Sequence, residues 1–224
     1  MNIINPATEA VIAQVNEDTP ATLQEKLNQL RKGFGAWSAT PVSKRVQILQ
    51  DFSALLEKNI EHLAAILTSE VGKPLQQSRN EVNGARTRMK WLVDHAAEYL
   101  KEETMTIETG LTEKISYEPL GVICNISAWN YPFLVGVNVF VPALLAGNCV
   151  LYKPSEYATL TGNEIEKLLR QAGVPEDAFQ RATGGGTIGA ALLDRHRRLI
   201  QGFVDSNLVC IEGEVLRVTQ KGYL

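Results

Sequence analysis

The stretch Glu118-Pro119-Leu120-Gly121-Val122-Ile123-Cys124-Asn125-Ile126-Ser127-Ala128-Trp129-Asn130-Tyr131-Pro132-Phe133 decides how this chain is read. Val122 to Ile126 is a mostly apolar run, the pattern of a strand. It delivers Trp129 and Asn130 into a proline-punctuated turn, after which a helix is expected from about Phe133 to Ala146. Leu151-Tyr152-Lys153-Pro154-Ser155-Glu156 repeats the design, a strand from Cys149 that ends in a lysine and, three residues on, a carboxylate. Further along, a strand from Phe179 to Thr183 runs into Gly184-Gly185-Gly186-Thr187-Ile188-Gly189, with a helix expected near Thr187. Strands alternating with helices at this spacing predict an α/β fold with a parallel sheet and right-handed crossovers.

Upstream of the sheet the period changes. Residues 3 to 15 suggest two short strands around Asn5-Pro6. Pro20 opens a helix with apolar positions Leu23, Leu27, Leu30 and Phe34, and Gly33 and Gly35 are read as its end. Thr40-Pro41 predicts the next helix start, with threonine as cap and proline at the first helical position. A third helix ends at Gly72, and a fourth pattern runs from about 76 to 101. Thr104 to Thr109 and Lys114 to Glu118 then alternate around a glycine turn, which predicts a hairpin. At the far end, Leu208 to Ile211 and Val215 to Thr219 read as a strand pair.

The 224 residues carry a net charge of −3, and the basic residues Lys73, Arg79, Arg86, Arg88 and Lys90 are interleaved with Glu70 and Glu81. Nothing here calls for nucleic acid as a partner. Cys124, Cys149 and Cys210 are too few and too scattered for a disulfide framework or a zinc knuckle, which fits a reducing cytoplasm. No signal peptide is read at the N-terminus. The most apolar stretch, Tyr131 to Leu151, is broken by Pro132, Pro142, Gly147 and Asn148, so no membrane segment is expected.

In an open parallel sheet, ligands bind beyond the carboxyl ends of the strands, where all three polar or glycine-rich segments fall. The Asn130 amide has the donor an oxyanion needs, although a turn asparagine bonding its own backbone has the same sequence signature. Lys153 and Glu156 have the groups to hydrogen-bond ribose hydroxyls, or are a solvated lysine and a first-turn carboxylate. The glycine run lets a ligand approach backbone N–H groups at a helix start, or only shapes the turn. Cys124, Cys149 and Cys210 read as buried strand thiols, and His62, His95 and His196 show no metal-ligand spacing, so no metal site is expected.

The chain resembles the aldehyde dehydrogenase superfamily. The resemblance is carried by Asn5-Pro6-Ala7-Thr8, Ala36-Trp37, Glu70-Val71-Gly72-Lys73-Pro74, Glu118 to Val122, Trp129-Asn130-Tyr131-Pro132, Pro142-Ala143-Leu144-Leu145-Ala146-Gly147-Asn148 and Lys153 to Glu156, in the family's order. It implies a helical N-terminal segment over 1–103, a β-hairpin oligomerisation arm over 104–118, a partial Rossmann-like NAD-binding domain over 119–206 and a divergent tail over 207–224. Asn130 would be the oxyanion stabiliser. Ser127, Trp129, Lys153, Ser155, Glu156, Gly185 and Gly189 would bind NAD, which Glu156 favours over NADP by repelling a 2′-phosphate. The substrate class implied is a small-molecule aldehyde, oxidised by thiolate attack and hydride transfer to the nicotinamide.

The match is expected to fade after Arg195, and the family's nucleophilic cysteine and general-base glutamate would lie beyond Leu224. Residues 1–224 alone are therefore expected to lack dehydrogenase activity. The open half sheet and the hairpin predict a homo-oligomer or association with a full-length relative. The rival accounts are a non-catalytic binding or assembly protein and one chain of a split enzyme.

Overall fold

The computed structural model of the chain describes residues 1–108 and 111–194, together with the backbone of 209–212 and 215–218. Met1–Gly185 forms one compact unit, and a second begins at Gly186.

The first unit opens with an antiparallel pair, β1 (Asn2–Ile4) and β2 (Val11–Gln14). Helix α1 (Pro20–Ser38) starts where expected, with Pro20 in its first turn and Thr19 and Thr22 capping each other reciprocally. It does not stop at Gly33 or Gly35. Gly33 is buried against the loop after residue 173, where an added Cβ would lie 2.3 Å from the Asp177 carbonyl oxygen. This glycine serves a close approach of two backbones, which outweighs its cost in helix propensity.

The expected Thr40-Pro41 cap is also absent. Helix α2 (Val42–Lys58) begins one residue later, with Pro41 at the cap and no side-chain hydrogen bond there. The Thr40 hydroxyl donates back to Ala36 O at 3.1 Å, and its carbonyl accepts from Arg45. Arg45, 5% exposed, also donates to Ser38 O at 3.1 Å and to Leu145 O at 2.9 Å. Helices α3 (Ile60–Val71) and α4 (Leu75–Tyr99) follow, α3 closing on Gly72 at φ 78°, a left-handed cap suited to glycine. Strands β3 (Glu103–Glu108) and β4 (Leu111–Ile115) form the hairpin, β4 beginning three residues nearer the turn than the sequence pattern suggested.

Three parallel strands, β5 (Val122–Ile126), β6 (Cys149–Lys153) and β7 (Phe179–Arg181), make the sheet in that order. They are joined by α5 (Pro132–Leu145) and α6 (Thr159–Ala172), the latter preceded by a 3-10 turn over Glu156–Ala158. Phe140, fully buried, centres the core, meeting Phe52, Tyr152 and Phe179 edge to face with ring centroids 5.6 to 6.2 Å apart. The architecture is thus α/β with a partial Rossmann-like sheet.

In the second unit, residues 186–194 are helical. Strands β8 (Val209–Glu212) and β9 (Val215–Val218) pair antiparallel, within a residue of the expected strand pair. His196, Leu208 and Thr219 lie outside the described residues.

Candidate functional site

The register of the sheet sets the site. Ile126 at the end of β5 lies opposite Lys153 at the end of β6, and Ser127 N–H donates to Lys153 O at 2.9 Å. The two loops therefore leave the sheet side by side, bringing Ser127 beside Lys153 and Trp129 beside the turn that holds Glu156, with Asn130 next along the first loop. Trp129 meets Tyr157 edge to face with ring centroids 6.4 Å apart.

The residues of this group differ in what they present. Trp129 and Asn130 are exposed. Ser127 is buried, with its hydroxyl toward the Tyr152 phenol, whose pKa burial raises. Lys153 is buried as well, its ammonium donating to Pro154 O at 3.0 Å and lying 3.5 Å from Glu156 Oε2. Ser155 Oγ accepts from Tyr157 N–H at 3.3 Å and so starts the 3-10 turn. The Glu156 carboxyl is held below the usual range by its own backbone N–H and, against partial burial, by the Lys153 charge, which keeps it ionised at neutral pH. A cavity of about 750 Å³ opens beside it, lined by Ile3, Ile4, Val71, Trp129, Glu156 and Tyr157 among others.

Two carboxylates that sequence reasoning counted only as charge balance turn out to brace these loops. Glu70 accepts from Leu160 N–H at 2.6 Å, Thr161 N–H at 2.9 Å and the Thr161 hydroxyl at 3.0 Å, at the start of α6. Glu81 accepts from Phe133 N–H at 2.9 Å at the start of α5 and pairs with Lys73, which also donates to Asn130 O at 2.7 Å. Burial raises both carboxyls, opposed at Glu70 by the α6 amides and at Glu81 by Lys73. Each helix N-terminus beside the site thus already holds an anion, where such ends commonly receive a phosphate.

The glycine turn is braced in the same way. Gly185 N–H donates to Glu17 Oε1 at 3.1 Å, and Thr183 N–H donates to Asp18 Oδ2 at 2.7 Å. Lys26 in turn bonds both Asp18 oxygens and Arg181 O. Burial works to raise the Asp18 carboxyl, but its bonds from Lys26, Thr183 and Thr22 hold it below the usual range. Gly189 is carried by the second unit, on helical residues 186–194.

Cys124 is half-buried and Cys149 buried. Burial raises both thiols, and with Asp177 nearby Cys149 is pushed up to about 12, so both are protonated at neutral pH. Cys210 lies in β8. Among the described residues no cluster of histidine, cysteine or carboxylate is placed to hold a metal ion, and no helix is long and apolar enough to cross a membrane.

The family model for the aldehyde dehydrogenase family matches residues 1–207, reaching past Arg195, where the recognisable landmarks end. Malonate-semialdehyde dehydrogenase 2 of Oceanobacillus iheyensis is 31% identical over 208 residues, 93% of this chain and 43% of its own length. The NADP/NAD-dependent aldehyde dehydrogenase PuuC of Escherichia coli is 32% identical over 196 residues, 86% of this chain and 39% of its own. Among solved structures, an aldehyde dehydrogenase of Brucella melitensis biovar abortus superposes with a TM-score of 0.80 at 31% identity, over 84% of this chain and 39% of that one. Glyceraldehyde-3-phosphate dehydrogenase GapN of Methanocaldococcus jannaschii, complexed with NADP, reaches the same score at 26% identity, over 84% and 42%. The chain spans about two-fifths of the length of these relatives.

Proposed function

The chain belongs to the aldehyde dehydrogenase family, and from that premise we propose that it carries the dinucleotide-binding and oxyanion-stabilising side of an NAD-dependent aldehyde oxidation. The observation that carries this reading is the register Ile126 to Lys153, which puts the Asn130 loop and the Lys153–Glu156 loop side by side at one edge of the sheet.

In this reading Lys153 and Glu156 hold ribose hydroxyls, Ser127, Ser155 and Trp129 shape the adjoining wall, and Gly185 lines the nucleotide's approach. The ionised Glu156 disfavours a 2′-phosphate, so NAD is preferred to NADP. The nicotinamide, when bound, accepts the hydride. Asn130, exposed at the loop tip, donates its amide hydrogen to the oxygen of the reacting aldehyde as charge develops there. On this reading residues 1–224 alone bind the dinucleotide without oxidising aldehydes: Cys124 and Cys149 sit within strands β5 and β6, where burial raises their thiols and disfavours the thiolate a nucleophile needs. Free thiols suit the cytoplasm.

The test is a titration with NADH, read as energy transfer from Trp129 and neighbouring tryptophans. Saturable binding that weakens in Lys153→Ala and Glu156→Ala is expected. Absence of binding at millimolar NADH would overturn the cofactor role, and aldehyde-dependent NADH formation lost in Asn130→Ala would overturn the inactivity of residues 1–224.

A second reading, assembly without catalysis, is favoured by the hairpin. Its described side chains are exposed on both faces, Met105, Leu111 and Ile115 among them, and an isolated two-stranded hairpin is marginal in water. Self-association or association with a full-length relative would cover it. A monomer mass by light scattering, with no relative co-purifying, would remove this reading.

A further inference from the structure

Lys73 and Glu81 belong to neither site loop, yet they grip the Asn130 loop at three successive points. Lys73 Nζ donates to Asn130 O at 2.7 Å and lies 4.0 Å from the centre of the Tyr131 ring, while Glu81 Oε1 accepts from Phe133 N–H at 2.9 Å. The other Glu81 oxygen takes Lys73 itself, and the side chains are 10% and 0% exposed.

We infer that Lys73, held by Glu81, is a positioning residue for Asn130: the pair fixes the backbone carbonyl and the following ring, and thereby the direction in which the Asn130 amide projects. The inference rests on the proposed oxyanion role of Asn130.

The bonding capacity of the pair argues for positioning rather than ligand binding. An ammonium has three directions to donate, and here they go to Glu81, to Asn130 O and over the Tyr131 ring. Both Glu81 oxygens are engaged and out of contact with solvent. Neither group retains an outward-facing site for substrate or cofactor. The companion clamp at Glu70 makes a useful contrast, because it bonds Leu160, Thr161 and the start of α6 rather than the backbone of the 153–156 loop. Of the two clamps, the one with a cation reaches past the helix start to the residue carrying the candidate donor.

The experiment is nitrogen-15 relaxation on the protein. In Lys73→Met, order parameters of the Asn130 and Tyr131 backbone amides are expected to fall from about 0.85 to below about 0.6, with the Asn130 side-chain amide shifting, while Leu160 and Thr161 stay unchanged. Lys73→Arg should restore most of the order by returning a cation. Glu81→Gln keeps an oxygen for Phe133 N–H while discharging the pair, and should give an intermediate loss if Lys73→Met does not fold. Unchanged order at 130 and 131 in any folded variant that discharges the pair, or an equal loss at 160 and 161, would overturn the positioning role. A separate arm adds acetate, a small carboxylate of the product class, to the NADH-bound wild type. An Asn130 side-chain amide indifferent to acetate would overturn the oxyanion reading and the catalytic meaning of the clamp, whereas the relaxation result overturns the clamp itself.

Discussion

The central strand β6 and the hairpin strand β4 are both five residues long and both carry large apolar side chains, yet every residue of β6 is buried and every residue of β4 is exposed. Composition accounts for part of this, since β4 carries Thr112, Glu113 and Lys114 where β6 has Lys153 alone, but not for the exposure of Leu111 and Ile115. Coverage separates them further: β6 has a strand on each side and helices packed against it, whereas among the described residues β4 pairs with β3 alone. A buried strand derives its stability from its neighbours, whereas the hairpin strands pair only with each other among the described residues.

The contrast can be broken or sharpened by substitution. Phe140→Ala removes the ring on which Phe52, Tyr152 and Phe179 converge, and should cost about 3–5 kcal/mol in denaturant unfolding. A loss below about 1 kcal/mol would mean that the sheet region is not the stable part. Glu81→Ala leaves Lys73 buried without its partner and should cost about 3 kcal/mol by the same measurement. Gly33→Ala puts a methyl into the Asp177 backbone and should cost about 1–3 kcal/mol, a result that would separate a packing glycine from a helix-ending one.

Acid unfolding probes the brace at the glycine turn. Because the folded Asp18 carboxyl titrates below its ordinary value of 3.8, its stabilisation is present above that value and is lost as pH falls through the folded one. Asp18→Asn should therefore flatten the acid limb of the stability curve while lowering stability at pH 7. Smallest of all for stability is Ile115→Lys in β4, expected to stay within about 0.5 kcal/mol. On the assembly reading the same change should shift the mass seen by light scattering toward the monomer, and a large loss of stability instead would show that the hairpin is part of the core.

The elements legible in the sequence were those whose cause is local. Val122–Ile126 and Cys149–Lys153 match their expected bounds because each apolar run is delimited by its own neighbours. The Gly33 reading failed for the opposite reason, since Asp177, far along the chain, decides that position, while Thr40 was a choice between local partners, its hydroxyl turning back to Ala36 O instead of capping α2. The loops that form the site were visible, but their supports were not. Glu17 and Asp18 act on a turn more than 160 residues away, which no local pattern reveals. For Glu81 a signal was present: it falls on the buried stripe of α4 with Ser78, Val82, Ala85 and Met89, and a carboxylate at such a position calls for a buried partner. Lys73 was the available cation.

The long-range bonds of the first unit have a consequence for a nicked chain. Arg45 to Leu145, Glu70 to Thr161, Lys73 to Asn130 and Asp18 to Thr183 all join residues before the hairpin to residues after it. A single cut after Lys114, in the exposed strand β4, severs none of them. The two fragments should stay together through purification and part only in denaturant, so the covalent link through the hairpin is dispensable for holding the fold although it runs through an exposed strand.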